Sequence, residues 1–142
     1  MTDLDLPDVN VLVALLHPSH VYHRTAQQWF TEVKRFATTP ITESGLLRLA
    51  LNPTVMGGEI TTATALASLD SLRSDPRAEF LADDTSLAKA RIDLIGLVGH
   101  KQVTDIHLVN LAATHQARLV TLDTKIRPVL IPDDQDHIMV LT

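Results

Sequence analysis

Residues 104–123, TDIHLVNLAATHQARLVTLD, join a helical pattern to a buried strand, and this stretch decides the fold class. Apolar residues recur at helical spacing from Thr104 to Gln116, a predicted helix for which Thr104 is the expected N-cap. Residues 118–122, RLVTL, follow as a nearly continuous apolar strand that ends at Asp123. The stretch therefore predicts one helix–strand unit of an α/β domain.

The same alternation extends along the whole chain. Strands separated by helices need crossover connections, which favours a five-stranded, mostly parallel sheet with helices on both faces. Pro7 is unfavourable inside a central strand because it donates no ladder hydrogen bond, so we expect it at the last position of its strand. The predicted strands are Leu4–Pro7, Phe36–Thr39, Ala78–Ala82, Arg118–Leu122 and His137–Leu141, and the predicted helices are a short one ending near Pro18, Val21–Phe36, Pro40–Leu51, Thr61–Arg73, Ser86–Val98 and Thr104–Gln116.

The composition limits the class of protein. The 142 residues suit one domain spanning 1–142, and a hydrophobic content of 45% supplies a core that is aliphatic because aromatics are only 4%. The chain has no cysteine, which excludes disulfides, a thiolate zinc site and a cysteine nucleophile. The acidic N-terminal sequence does not resemble a secretory signal, and no apolar run approaches the ~18 residues of a membrane span. We expect a cytoplasmic protein with no membrane association.

The net charge bears on nucleic-acid binding. Twelve Lys and Arg against seventeen Asp and Glu give a formal charge of −5, whereas nucleic-acid-binding proteins usually carry a basic surface. This objection weakens if several carboxylates hold a cation, because a bound cation inverts the local field. The positions of the acidic residues therefore matter more than their number.

Acidic residues follow most of the predicted strands. Ligands of an open parallel sheet bind beyond the carboxyl ends of its strands, so acids at these positions are candidate site residues. Each has a structural alternative, since carboxylates stabilise helix N-termini and aspartate is common in turns. Several acids at one sheet edge repel one another unless a cation binds there, and oxygen ligands suit Mg²⁺ or Mn²⁺. The acids at these positions are Asp8, Glu43, Asp83, Asp84, Asp105 and Asp123.

Four segments, in this order, resemble a known family. With these segments the chain resembles a PIN domain, more narrowly the VapC toxin ribonucleases of bacterial type II toxin–antitoxin systems, and the resemblance covers essentially the whole chain, from about Leu4 to Leu141. The segments are PDVNVLVALL (7–16), TESGLLRLALNP (42–53), GHKQVTDIHLVNLA (99–112) and RLVTLD (118–123).

The resemblance implies a metal-dependent endoribonuclease that hydrolyses RNA phosphodiester bonds. It implies a three-layer α/β/α fold with strand order 3-2-1-4-5, a homodimer, and a small VapB-like antitoxin that covers the site. The family's catalytic and metal-binding acids correspond to Asp8, Glu43, Asp105 and Asp123, with Mg²⁺ or Mn²⁺ as the metal. The chain departs from the family at Ile126, where an aromatic residue is frequent.

Several further residues are candidates for supporting roles. Asn10 and Thr121 could orient a ligating carboxylate or a water, or could cap the local backbone. His107 could donate a proton, or could be a packed helix residue. Basic residues near the rim of the site are candidates for binding RNA: Arg48, Lys101, Lys125 and Arg127.

Other functions are compatible with parts of the pattern. A catalytically silent PIN domain could act as an RNA- or protein-binding module. A receiver-type signalling domain also binds Mg²⁺ through acids, but here the acid pair Asp83–Asp84 follows the third strand and no lysine follows the fifth. A haloacid-dehalogenase-like phosphatase needs its D-x-D motif after the first strand, and Asp3 and Asp5 do not follow that strand.

Overall fold

Five parallel strands form the centre of the protein, and their order is β3-β2-β1-β4-β5. The computed structural model describes residues 3–142, so residues 1 and 2 of the predicted domain lie outside it. All four strand pairs are parallel, which confirms the predicted sheet and its order. Most strands end before the predicted residue; their bounds are β1 Leu4–Pro7, β2 Arg35–Thr38, β3 Ala78–Phe80, β4 Arg118–Thr121 and β5 Ile138–Val140.

Helices cover both faces of this sheet. Short 3-10 turns occupy residues 87–89, 100–102, 127–129 and 132–137. Among the helices, only α4 was not predicted from the sequence. The bounds are α1 Val9–Leu16, α2 His23–Glu32, α3 Pro40–Ala50, α4 Pro53–Met56, α5 Thr62–Arg73 and α6 Val103–Thr114.

The predicted helix Ser86–Val98 is wrong. Only residues 87–89 form a helical turn, and the rest of the segment is irregular. Most of its apolar side chains still pack against the core around α6, although Ile95 and Val98 are exposed. The backbone N–H of Arg91 donates to Oδ1 of the buried Asn110 at 2.8 Å, and the N–H of Asp93 donates to Oδ2 of Asp134 at 2.8 Å. These tertiary hydrogen bonds replace those of a helix, which a local pattern cannot reveal.

Two helix boundaries also differ from the prediction. The helix predicted over Val21–Phe36 spans only His23–Glu32 in the structure, and Phe36 belongs to β2 instead. Phe36 packs in the same core cluster as Trp29, so the apolar pattern continues although the backbone changes from helix to strand. Thr104 is not the N-cap of α6, since a 3-10 turn leads directly into a helix that begins at Val103.

Pro7 is the last residue of the central strand β1, as expected from its missing N–H. The chain resumes the pairing one residue later, where the N–H of Asp8 donates to the carbonyl oxygen of Val120 at 2.9 Å. This hydrogen bond holds the junction between β1 and α1 against β4. It thereby fixes the position of Asp8 at the carboxyl edge of the sheet.

The two faces of the sheet bury separate apolar clusters. Leu4, Leu6 and Leu119 pack with α6 on one face, whereas Phe36 and Val120 pack with the other helices on the opposite face. No helix within residues 3–142 combines the length and apolar composition needed to cross a bilayer.

The helix α3, which carries Glu43, packs tightly on α1. A Cβ atom at Gly45 would lie 2.5 Å from Cγ2 of Val9, so only glycine allows this close approach.

Candidate active site

Asp8 occupies the junction between β1 and α1. It is the N-cap of α1, and its Oδ1 accepts a hydrogen bond from the N–H of Val11 at 3.0 Å. The residue is only 4% exposed. An aspartate at a strand end and at a helix N-terminus satisfies local hydrogen bonding, so Asp8 has the structural role considered from the sequence. This capping bond to the N–H of Val11 occupies only one lone pair of Oδ1.

Thr121 connects Asp8 to Asp123. This threonine is fully buried at the end of β4, and its hydroxyl donates to Oδ2 of Asp8 at 2.5 Å. Oγ1 of Thr121 in turn accepts the N–H of Asp123 at 3.0 Å. Because that N–H can only donate, the hydroxyl proton of Thr121 points to Asp8. Thr121 therefore orients a carboxylate, one of the roles considered for it, whereas Asn10 is exposed and has no hydrogen-bond partner among the described side chains.

The carboxylates of Asp8, Asp105 and Asp123 influence one another electrostatically. Burial raises the pKa of Asp8, the hydrogen bonds from Thr121 and Val11 lower it, and the charges of Asp105 and Asp123 raise it, so that the pKa is about 6. Burial, followed by the charge of Asp123, also raises the pKa of Asp105. Three acids from separate parts of the chain thus come within electrostatic reach at the carboxyl edge of the sheet.

Glu43 is held differently from the other three acids. It lies in the first turn of α3, and its Oε2 accepts the hydroxyl of Thr38 at 2.6 Å. The Nε of Arg73 lies 3.6 Å from the same oxygen. Glu43 is not among the charges that raise the pKa of Asp8. Neither Thr38 nor Arg73 was predicted from the sequence as a site residue. Thr38, like Thr121, is the last residue of its strand and donates to a candidate acid.

The donor atoms fit a hard divalent cation. Within residues 3–142, no group of three or more His, Asp or Glu side chains is arranged closely enough to hold a metal ion. The chemistry of the acids is nevertheless suitable, because they offer only oxygen ligands and destabilise each other's charged forms. A cation between them would relieve this repulsion.

His107 and Asp83 form a pair beside α6. The Nε2 of His107 lies 2.6 Å from Oδ1 of Asp83, and the Nε2 of His115 lies 2.8 Å from Oδ1 of Asp84. The two acids that follow β3 therefore contact histidines of α6 and its C-terminus. The contact with Asp83 orients the ring of His107 through Nε2, and it is compatible with both roles considered for this histidine.

The predicted basic residues lie at the protein surface. Lys101 lies in the 3-10 turn before α6, and Lys125 donates its N–H to Oδ1 of Asp123 at 2.8 Å. The side chain of Ile126 is 1% exposed and belongs to the core, so it offers no stacking surface. The exposed basic residues of the prediction are Arg48, Lys101, Lys125 and Arg127.

Comparisons with known proteins agree in pointing to one family. The family model of the PIN domain matches residues 6–129. The chain is 45% identical to ribonuclease VapC39 of Mycobacterium tuberculosis over 121 residues, which cover 83% of this chain and 87% of that protein. It is also 45% identical to ribonuclease VapC38 of the same species over 120 residues, covering 83% of this chain and 84% of that protein.

A solved structure has the same fold. The crystal structure of VapBC2 from Rickettsia felis bound to a DNA fragment from their promoter matches with a TM-score of 0.61. The match covers 98% of this chain and 99% of the other, at 17% sequence identity. At this identity the likeness concerns the fold alone.

Proposed function

The chain belongs to the PIN-domain family, among the VapC ribonucleases, and from this premise we propose that it is an endoribonuclease toxin of a type II toxin–antitoxin system. It hydrolyses RNA phosphodiester bonds with the help of Mg²⁺ or Mn²⁺. The names of the relatives, ribonucleases VapC39 and VapC38, support the activity. The observation that carries the proposal is the electrostatic coupling of Asp8, Asp105 and Asp123 at one sheet edge.

The residues that hold the metal in this proposal are Asp8, Glu43, Asp105 and Asp123. A bound divalent cation supplies a water of lowered pKa and neutralises charge that develops on the phosphate. The second effect matters in a chain of formal charge −5, whose acidic site would otherwise repel an RNA phosphate.

The remaining residues of the site orient these acids. The N–H of Val11 and the hydroxyl of Thr121 each bind one oxygen of Asp8, which fixes the plane of the carboxylate. Each oxygen keeps a further lone pair for a ligand. Thr38 holds Oε2 of Glu43 in the same way. Because these carboxylates are already oriented before the substrate arrives, they lose little conformational entropy when they bind the metal ion.

A catalytically silent PIN domain remains the principal alternative. It would have the same fold and acids but no turnover, and no observation favours it here. The receiver-type alternative has less support, because the strand order 3-2-1-4-5 differs from the order 2-1-3-4-5 of receiver domains.

The proposal extends to partners and location. A small VapB-like antitoxin covers the acidic site, and the toxin acts on RNA in the cytoplasm as a homodimer. Membership among the VapC ribonucleases supports a toxin–antitoxin role.

Incubation with total RNA tests the activity. Purified protein is incubated with Mg²⁺, with Mn²⁺ or with EDTA, and new 5′ ends are mapped by sequencing. We expect discrete new ends with either metal and none with EDTA. Intact RNA under all three conditions would favour the silent binding module, and cleavage that persists in EDTA would contradict the metal-dependent mechanism.

A further inference from the structure

Arg73 reaches from the end of α5 to the candidate active site. It is the last residue of α5, yet its Nε lies 3.6 Å from Oε2 of Glu43. On the way, its guanidinium passes over the ring of Phe80, with Cζ 4.8 Å from the ring centroid. Phe80 is the last residue of β3 and is 45% exposed. A cation and an aromatic ring thus lie together beside one of the four proposed catalytic acids.

The environment of Arg73 keeps the guanidinium available to a ligand. The neighbouring Leu72 is buried in the core, which anchors the end of α5. Contact with the face of Phe80 restricts the long side chain through a cation–π interaction. The distance to Glu43 is longer than a hydrogen bond, and within residues 3–142 the five N–H donors of Arg73 have no hydrogen-bond acceptor.

A purely structural ion pair explains this arrangement poorly. The side chain of Arg73 is 48% exposed, and exposed ion pairs contribute little to stability. Glu43 also has a closer partner in Thr38, at 2.6 Å. The pair is therefore not needed to hold Glu43 in place.

We propose that Arg73, stacked on Phe80, binds a phosphate of the RNA substrate next to Glu43. Arginine presents a planar set of donors that matches the oxygens of a phosphate, and single-stranded RNA stacks its bases on aromatic rings and guanidinium planes. A fixed cation also offsets the negative charge of the acids toward the RNA backbone. This inference rests on the proposed function, because it names a substrate contact of the same site.

Binding of RNA at different salt concentrations tests the contact without requiring turnover. A fluorescein-labelled single-stranded RNA of random sequence is titrated with the full chain in Ca²⁺, which oxygen ligands also hold, and the RNA is checked on a gel for intactness. Losing one phosphate contact lowers the slope of log Kobs against log salt by about 0.7 for a single strand. We expect this decrease for Arg73→Gln, with a Kd about tenfold higher.

Matched variants separate charge from stacking. Arg73→Lys retains a charge and should keep the slope, whereas Phe80→Leu removes the ring and should raise Kd without changing the slope. Arg24→Gln removes an exposed charge from α2, which carries none of the proposed site residues, and should bind as the wild type does. An unchanged slope for Arg73→Gln, or an equal decrease for Arg24→Gln, would overturn the inference.

The outcome is distinguishable from failure of the proposed function. Cleavage of total RNA by the wild type together with an unchanged slope for Arg73→Gln refutes only the role of Arg73. If the wild type does not cleave RNA but the salt-dependence slope decreases for Arg73→Gln and not for Arg24→Gln, the proposed ribonuclease activity is refuted and an RNA contact at Arg73 is supported.

Discussion

The hydroxyl of Thr121 donates to Oδ2 of Asp8 across the boundary between β4 and β1, at 2.5 Å. The two residues are 113 positions apart in the chain, and both are buried. Because the same hydroxyl accepts the N–H of Asp123, one side chain sets the geometry of two proposed metal ligands. Residues that hydrogen-bond to the ligands of a metal ion commonly tune the affinity of the site for the metal.

Thr121→Val should weaken both stability and activity. The variant has nearly the same shape, but it leaves Asp8 without a donor and the N–H of Asp123 without an acceptor, which costs about 1–3 kcal/mol of folding free energy for a buried group. The pKa of Asp8 should rise further, so metal binding and cleavage should require a higher pH. Chemical denaturation and the pH dependence of Mg²⁺ affinity measure these effects. Thr121→Ser should restore both, and equal Mg²⁺ affinity of Thr121→Val and the wild type at every pH would refute the orienting role.

Asp8→Asn and Asp105→Asn should abolish RNA cleavage and growth inhibition. Loss of one charged ligand removes several kcal/mol of transition-state stabilisation, and each 1.36 kcal/mol corresponds to about tenfold in rate. Initial rates on a mapped RNA site give the measurement. Asp133→Asn, at an exposed position of the 132–137 turn, is the control and should cleave normally. Wild-type rates for both site variants would disprove the assignment.

In EDTA, the protein should lose stability as the pH rises from about 4 to about 6. The raised pKa of Asp8 means that the folded state binds more protons than the unfolded state in this interval, so deprotonation favours unfolding. The change from 3.8 to about 6 corresponds to about 3 kcal/mol. Urea denaturation across this pH range measures it.

Asp8→Asn provides the comparison for this pH dependence. Asparagine retains the N-cap of α1 but carries no charge, so the variant should be more stable than the wild type at pH 7 and should differ little at pH 4. A variant that is less stable at both pH values would show that the ionised carboxylate stabilises the fold.

Mg²⁺ should stabilise the wild-type protein against heat. A ligand at a hundredfold excess over its Kd adds roughly 2.7 kcal/mol to the free energy of unfolding, which for a domain of this size raises Tm by about 9 °C. Thermal melts in EDTA and in Mg²⁺ give the shift. Asp8→Asn should respond less than Asp133→Asn, and equal melting temperatures of the wild type with and without Mg²⁺ would argue against a metal site.

A cognate antitoxin should inhibit by covering the acidic edge of the sheet. Arginine forms bidentate pairs with carboxylates, so an arginine of the antitoxin is the side chain best suited to Asp8 and its neighbours. Co-expression with a cognate VapB-like antitoxin should restore growth, and the purified complex should not cleave RNA. Binding of that protein without loss of cleavage would show that the site stays open.

Features that depend on neighbouring residues in the chain could be predicted from the sequence. The apolar strands and the acids that follow them led to the family resemblance, and the resemblance implied the strand order. The local pattern also predicted Asp8 and Glu43 at the starts of α1 and α3. Proline at the end of β1 also followed from local chemistry, because its missing N–H prevents pairing at an interior position.

Features that depend on distant residues were decided only by the tertiary structure. The segment 86–98 has a helical pattern, but Asn110 and Asp134 bind its backbone N–H groups and hold it in an irregular path. Burial likewise separates Asp8, whose pKa rises to about 6, from acids that look equivalent in the sequence. The contact of Glu43 with Arg73 arises only when α5 packs beside β3, because hydrogen bonds, desolvation and charge depend on which groups the fold brings together.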